Sequence, residues 1–187
     1  QYFKKNTAIE HALDVVKNGA DIIDIGGEST RPFSDPVSLD EELSRVIPVI
    51  EGIRKKSDVC ISIDTTKSVV ASKALQVGAS IINDVSAMEV DPLMADVAIQ
   101  FNCPLIIMHM KGTPKNMQDN PKYESLVSDI KDYLVSRIDF ALSKGVEQKK
   151  IIIDPGIGFG KTVENNFEII NNLNHFVELN FPVLLGA

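Results

Sequence analysis

The stretch IIIDPGIGFGKT, residues 151–162, joins an apolar run to an aspartate, a proline, three alternating glycines and then Lys-Thr. Its ending invites reading as a phosphate-binding P-loop. Such a loop has the form GxxxxGK[ST], long enough to wrap backbone N–H groups around phosphates. Counting five residues back from Gly160 reaches Pro155, which has a fixed φ and no N–H to donate. The dinucleotide pattern GxGxxG fails as well, because the glycines at 156, 158 and 160 alternate strictly. What remains is an apolar strand that ends on a carboxylate, Asp154, followed by glycines that permit close approach.

The same shape recurs along the chain. Nearly continuous apolar runs stand at DIIDI (21–25), VCISI (59–63), SIIND (80–84), PLIIMH (104–109), KIIID (150–154) and PVLLG (182–186). Strands covered on both faces of a parallel sheet read this way. Helical periodicity lies between them, at 5–17, 39–56, 67–77, 91–101, 122–144 and 163–173. Ser38 with Glu41 predicts a capping box, and Gly19, Gly78 and Gly145 stand where helices should stop. NGADIIDIGGES and VGASIINDVSAM share Gly-Ala-x-Ile-Ile at the same helix-to-strand junction. The repeating unit is therefore helix, glycine turn, parallel strand, which builds either an open doubly wound sheet or a (β/α)₈ barrel.

The strand ends decide between them. An open sheet gathers its functional groups at one switch point, whereas a barrel can place them after nearly every strand. Here the ends carry Asp24 and Glu28, Asp64, Asn83 and Asp84, His109, and Asp154. The expectation is a (β/α)₈ TIM barrel in one domain, 1–187. It is expected to be incomplete, with about six βα units and the first and last strands outside the chain. An unclosed barrel exposes two sheet edges, so a piece ending at these residues is expected to be inactive and unstable.

Composition narrows the function. With 44% apolar and 24% charged residues the chain reads as an ordinary soluble globular protein. A net charge of −7 argues against nucleic acid as a partner, and no run is long and apolar enough to span a bilayer. A cytoplasmic location is expected, in which Cys60 and Cys103 are buried reduced thiols. The three histidines are too scattered to build a metal cluster. His109 is expected to be a packed, hydrogen-bonded residue.

Each strand end has a chemical reading beside a structural one. Glu28, Thr30 and Arg31 follow the first strand and could clamp an anion or carboxylate, or simply form a solvated turn. Asp64 could face the mouth while Thr65 or Thr66 caps the next helix. Of Asn83 and Asp84 only one can face a ligand, since neighbours on a strand point to opposite faces. An amide suits a heterocycle edge that alternates donors and acceptors. Asp154 can accept two parallel N–H bonds from a guanidine-like edge, with Phe159 beside the ring. Lys161 and Thr162 are expected at the rim, where the next helix begins.

Taken in order, GGESTRP, SIDTTK, INDVSA, MHMKGTP and DPGIGFGK resemble the dihydropteroate synthase family of folate biosynthesis. The resemblance covers essentially the whole chain. It implies a (β/α)₈ barrel that joins 6-hydroxymethyl-7,8-dihydropterin pyrophosphate to p-aminobenzoate, with Mg²⁺, releasing pyrophosphate and forming 7,8-dihydropteroate. It implies loss of pyrophosphate first, then attack of the arylamine on a pterin-methyl cation. The implied pterin pocket comprises Asp64, Asn83, Val85, Met108, Asp154, Phe159 and Gly186. Thr30, Arg31 and Pro32 match the loop of the aminobenzoate site, where sulfonamides compete. Asp64, Asn83, Asp154 and Arg31 carry the implied catalysis. No metal ligand is expected within the chain: the asparagine that serves Mg²⁺ should precede Gln1, and a Ser-Arg-Lys run and an Arg/His strand for pyrophosphate should follow Ala187. A homodimer is implied. The nearest rival is a pterin-binding methyltransferase that serves a corrinoid, which GESTRP disfavours; a P-loop hydrolase and a non-catalytic barrel are the others.

Overall fold

A computed structural model of the chain describes residues 5–30, 34–113, 116–117 and 121–186. Five parallel strands form one sheet in the sequential order β1-β2-β3-β4-β5: Ile22–Gly26, Cys60–Asp64, Ile81–Asp84, Leu105–Met108 and Ile151–Asp154. Helices connect them: α1 Lys5–Lys17, α2 Leu39–Arg54, α3 Ser68–Gln76, α4 Met94–Phe101, α5 Leu126–Lys144, α6 Val163–Asn171 and the short α7 Asn174–Val177. Neighbours in sequence are neighbours in the sheet throughout, so the order never reverses. A sheet without a switch point curls in one sense, as a barrel wall does.

The expected sixth strand at 182–186 is reduced to one parallel bridge, Ile153 with Val183. Two bonds make it: Ile153 N–H donates to the Pro182 carbonyl and Leu184 N–H to the Ile153 carbonyl, both at 2.9 Å. With no ladder on its far side among the described residues, the segment has half the bonds that keep a barrel strand extended.

Alternation sorts the side chains. Ile61, Ile63, Ile82, Leu105, Ile107, Ile151 and Ile153 are all fully buried and pack in the core with Ile50, Ile53, Val70, Ala74, Ile130 and Leu134 of the helices. Each fully buried aliphatic of this kind contributes roughly 2 kcal/mol relative to exposure. The core thus lies between sheet and helices, and every second strand residue is left for the opposite, inner face. That face carries Asp24, Ser62, Asp64, Asn83, Ile106, Met108, Ile152 and Asp154, as the pairings Asp24–Ser62, Asp64–Asn83, Asn83–Ile106, Ile106–Ile152 and Met108–Asp154 require.

Helix ends follow the sequence with two exceptions. Gly145 ends α5 with φ of 103°, and Ser38 Oγ accepts from the Glu41 N–H at 3.3 Å. Glu41 does not complete the expected box: its carboxylate pairs with Arg45 one turn on, where a charged partner outcompetes a backbone N–H. At α3 neither Asp64 nor a threonine caps the helix. The carboxylate of Asp91 reaches across to the Ser68 N–H at 2.8 Å, while Thr65 Oγ1 accepts from the Lys67 N–H at 3.2 Å. α6 has a complete capping box between Thr162 and Asn165. Thr162→Ala removes it and is expected to lower stability by about 1 kcal/mol, measured by denaturant unfolding. Of the two thiols, Cys103 is buried as expected. Cys60 is only half-buried, because it starts its strand on the inner face, with Sγ 3.4 Å from Ser80 Oγ.

Candidate functional site

Asp64, Asn83, Met108 and Asp154 all come to the carboxyl ends of adjacent strands, on the inner face. Parallel pairing puts Asp64 opposite Asn83 and Met108 opposite Asp154. Val85 follows β3 and is buried; Phe159 lies half-buried in the turn after β5. Thr30 is half-buried in the loop after β1, and Gly186 is exposed beyond the Val183 bridge. Arg31 and Pro32 lie outside the described residues.

The choice between Asn83 and Asp84 is settled by the pleat. Asn83 faces inward and its Nδ2 donates to Asp24 Oδ2 at 3.1 Å. Asp84 turns away, fully buried, and accepts from Ser86 N–H at 2.9 Å, Ser86 Oγ at 2.7 Å and Met88 N–H at 2.7 Å. Those bonds hold a tight loop in which Ala87 and Met88 have φ of 49° and 65°.

Two site features were not legible as such. Asp24 accepts from Ser62 Oγ and from Asn83, so it ties the inner faces of three strands together and fixes which end of the Asn83 amide points into the mouth. The Asp-x-Gly, Ser-x-Asp and Ile-x-Asn alternation of β1 to β3 was the available signal. Lys161 is the second: expected at the rim, it is only 3% exposed. Its ammonium lies 3.0 Å from His109 Nδ1, 3.2 Å from the His109 carbonyl and 2.9 Å from the Phe159 carbonyl. The turn's amides are also engaged, Gly156 N–H on Asp154 Oδ1 at 2.7 Å and Gly158 N–H on Asn166 Oδ1 at 3.0 Å. A P-loop needs these amides and its lysine free for phosphate, so the geometry agrees with rejecting that reading.

Glu28 takes a different role from the anion clamp. Lys67 Nζ bridges Glu28 at 2.5 Å and the wholly buried Glu42 at 2.6 Å, and Thr65 Oγ1 donates to Glu42 at 2.6 Å. Arg45 donates to the Gly27 carbonyl at 2.8 Å. These bonds staple the base of the loop after β1 to α2 and to the end of β2.

Carboxylates crowd this end of the sheet. Burial, then the charges of Asp24, Glu42, Asp84 and Glu28, push the Asp64 carboxyl up to about 8. Between its unfolded value near 4 and about 8 the folded state holds a proton that the unfolded chain has lost, so stability declines as pH rises through that window. Asp64→Asn removes the titration. Its melting temperature minus that of the wild type should grow from pH 4 to pH 8 and then level off. A difference independent of pH would show that Asp64 is not under this strain. Burial also raises Asp154, to about 6, against the Gly156 N–H and Lys161. His109 is buried, packed edge-on at 5.0 Å against Tyr133, and kept neutral by burial and by Lys161. It is the packed histidine expected.

Among the described residues no three His, Cys, Asp or Glu side chains converge to hold a metal ion. No described helix is long and apolar enough to cross a membrane. A cleft of about 700 Å³ follows the outer edge of β1 between α1 and α2; Asp24 lines both it and the ring of polar groups.

A parallel βα wall whose strand ends carry two carboxylates, an amide and a methionine is the framework of a ligand-binding barrel. The chain matches the family described as pterin binding enzyme over residues 1–187, and it belongs to that family. Within it the chain groups with the dihydropteroate synthases. It is 44% identical over 186 residues to the dihydropteroate synthase of Haemophilus influenzae, covering 100% of this chain and 67% of that one. The Yersinia pestis dihydropteroate synthase, solved with a sulfonamide drug, superposes with a TM-score of 0.95 at 38% identity, over 98% of this chain and 66% of that one. The Xanthomonas albilineans enzyme, solved with 4-aminobenzoic acid, gives 0.92 at 39%, over 98% and 64%. The fold is therefore part of the (β/α)₈ barrel of these enzymes, five of its strands and a bridge, and the chain spans about two thirds of their length.

Proposed function

We propose that the full-length protein joins 6-hydroxymethyl-7,8-dihydropterin pyrophosphate to p-aminobenzoate, forming 7,8-dihydropteroate and pyrophosphate. The observation that carries this is the register: Asp64 beside Asn83 and Asp154 beside Met108, all on inner faces at strand ends. Asp154 accepts paired N–H bonds from the 2-amino-pyrimidinone edge. Asn83, its Nδ2 committed to Asp24, offers Oδ1 to a ring N–H. Met108, Val85 and Phe159 line the ring, with Gly186 at the rim. Thr30, Arg31 and Pro32 serve the aminobenzoate side.

Loss of pyrophosphate before arylamine attack would leave a pterin-methyl cation. A fixed negative group stabilises such a charge without having to move, which is what Asp154 provides from a rigid strand; Asp64, pushed up to about 8 in the empty site, adds its charge once the cation beside it draws off the proton. Arg31, by its match to the loop of the aminobenzoate site, joins Asp64, Asn83 and Asp154 in the catalytic set. Mg²⁺ and the pyrophosphate are assigned to residues of the full-length protein outside this chain, and sulfonamides compete for the aminobenzoate site.

Calorimetry on the full-length protein tests this. Pterin pyrophosphate should bind first, and p-aminobenzoate measurably only in the presence of the pterin compound or its product. Binding of ATP or GTP in place of the pterin, or methyl transfer to a corrinoid, would overturn the assignment.

A further inference from the structure

Among the described residues Lys161 is the only buried lysine or arginine. Burying an ammonium forfeits its hydration, so the position is tolerable only where acceptors replace the lost water. Three do: His109 Nδ1 and the carbonyls of His109 and Phe159, at 3.0, 3.2 and 2.9 Å. These acceptors flank Asp154 on both sides. The His109 N–H donates to the Asp154 carbonyl at 2.9 Å, and the Phe159 N–H closes the turn on the Gly156 carbonyl at 3.1 Å. The Gly156 N–H in turn donates to Asp154 Oδ1 at 2.7 Å. The ammonium therefore bridges the end of β4 and the turn that grips the Asp154 carboxyl. A methionine there would fill the same volume yet leave three acceptors unpaired and remove the nearest positive charge.

We infer that Lys161 is a positioning residue for Asp154: its ammonium pins the end of β4 to the glycine turn and supplies the charge that keeps the carboxylate ionised toward the mouth. The inference rests on Asp154 being the pterin-binding carboxylate. Charge supports the geometry. Burial raises Asp154, and the opposing pull of the Gly156 N–H and of Lys161 leaves it at about 6; burial lowers Lys161, and the opposing pull of Asp154 leaves it at about 7. The other titratable groups packed here are His109 and Lys111 after β4, Tyr123 and Tyr133. His109 stays neutral, Lys111 lies over the Tyr123 ring at 4.3 Å, Tyr123 OH donates to the Gly160 carbonyl at 2.7 Å, and burial keeps both phenols protonated.

The test is Lys161→Met in the full-length protein, with pterin pyrophosphate affinity followed by calorimetry across pH. The folded variant should bind about tenfold more weakly at pH 7, and the acid-side midpoint of binding should move up by about one pH unit. Unchanged affinity with an unchanged midpoint would overturn the inference. Should the variant not fold, NMR titration of the Lys161 ammonium decides: Asp154→Asn should lower its midpoint, and an unmoved midpoint refutes the coupling. A wild type that binds no pterin pyrophosphate would count against the proposed function, and the NMR arm would still judge Lys161.

Discussion

Replacing Asp154 by asparagine should weaken binding of the pterin compound to the full-length protein by about a hundredfold. A carboxylate offers two acceptor oxygens to a guanidine-like edge. An amide of the same shape offers one, and turns two N–H groups against the ligand's own donors. Charge-assisted hydrogen bonds contribute about 1.5–3 kcal/mol each, so losing one and part of the other comes to about 3 kcal/mol, or two orders of magnitude. Oδ1 also accepts from the Gly156 N–H. Thermal unfolding of the variant must therefore accompany the calorimetry, and the fold should survive because the amide oxygen can still take that bond. A folded Asp154→Asn protein within threefold of the wild type would remove Asp154 from the binding site.

The second large effect falls on the fold. Gly156→Ala should destabilise the protein by at least about 3 kcal/mol, whereas Gly158→Ala should cost only about 1 kcal/mol. Both glycines have positive φ, 73° and 83°, so both substitutions meet the left-handed penalty. They differ in their surroundings. A Cβ on Gly156 would lie far inside van der Waals contact with the carbonyl oxygen of His109, while a Cβ on Gly158 meets nothing within 4 Å. That carbonyl belongs to backbone already held by Lys161, so it cannot retreat without dragging the end of β4 with it. Denaturant unfolding of the two variants side by side isolates the clash from the backbone penalty. Equal losses would show that the close approach of the turn to β4 is not structurally important.

Much of this was legible from the chain. The runs DIIDI, VCISI, SIIND, PLIIMH and KIIID each became a strand within a residue of the expected bounds, because a strand buried against helices must be apolar over a short stretch. Asp64, Asn83 and Asp154 were legible as a set because each closes such a run. PVLLG looked no different from the others, yet Val183 makes only a bridge: its pairing depends on a neighbour on the far side, which local composition does not report. Lys161 misled for a related reason. A lysine beside a helix cap is usually solvated, and only the carbonyls of His109 and Phe159, one of them about fifty residues away in sequence, make its burial possible. Asp24 was visible at a strand end. Its grip on Asn83 crosses from β1 to β3 and follows from strand order and register.

By itself, then, the sequence determined the alternation of strands and helices and the residues that end each strand, since periodicity and chain breaks act over a few neighbouring positions. The tertiary structure alone decided which of those ends face one another, that Asp91 rather than a threonine caps α3, that Glu28 answers Lys67, and that Lys161 lies beneath the Asp154 turn. Charges can be buried only where partners distant in the chain meet them, and such meetings are set by strand register, which no local window contains.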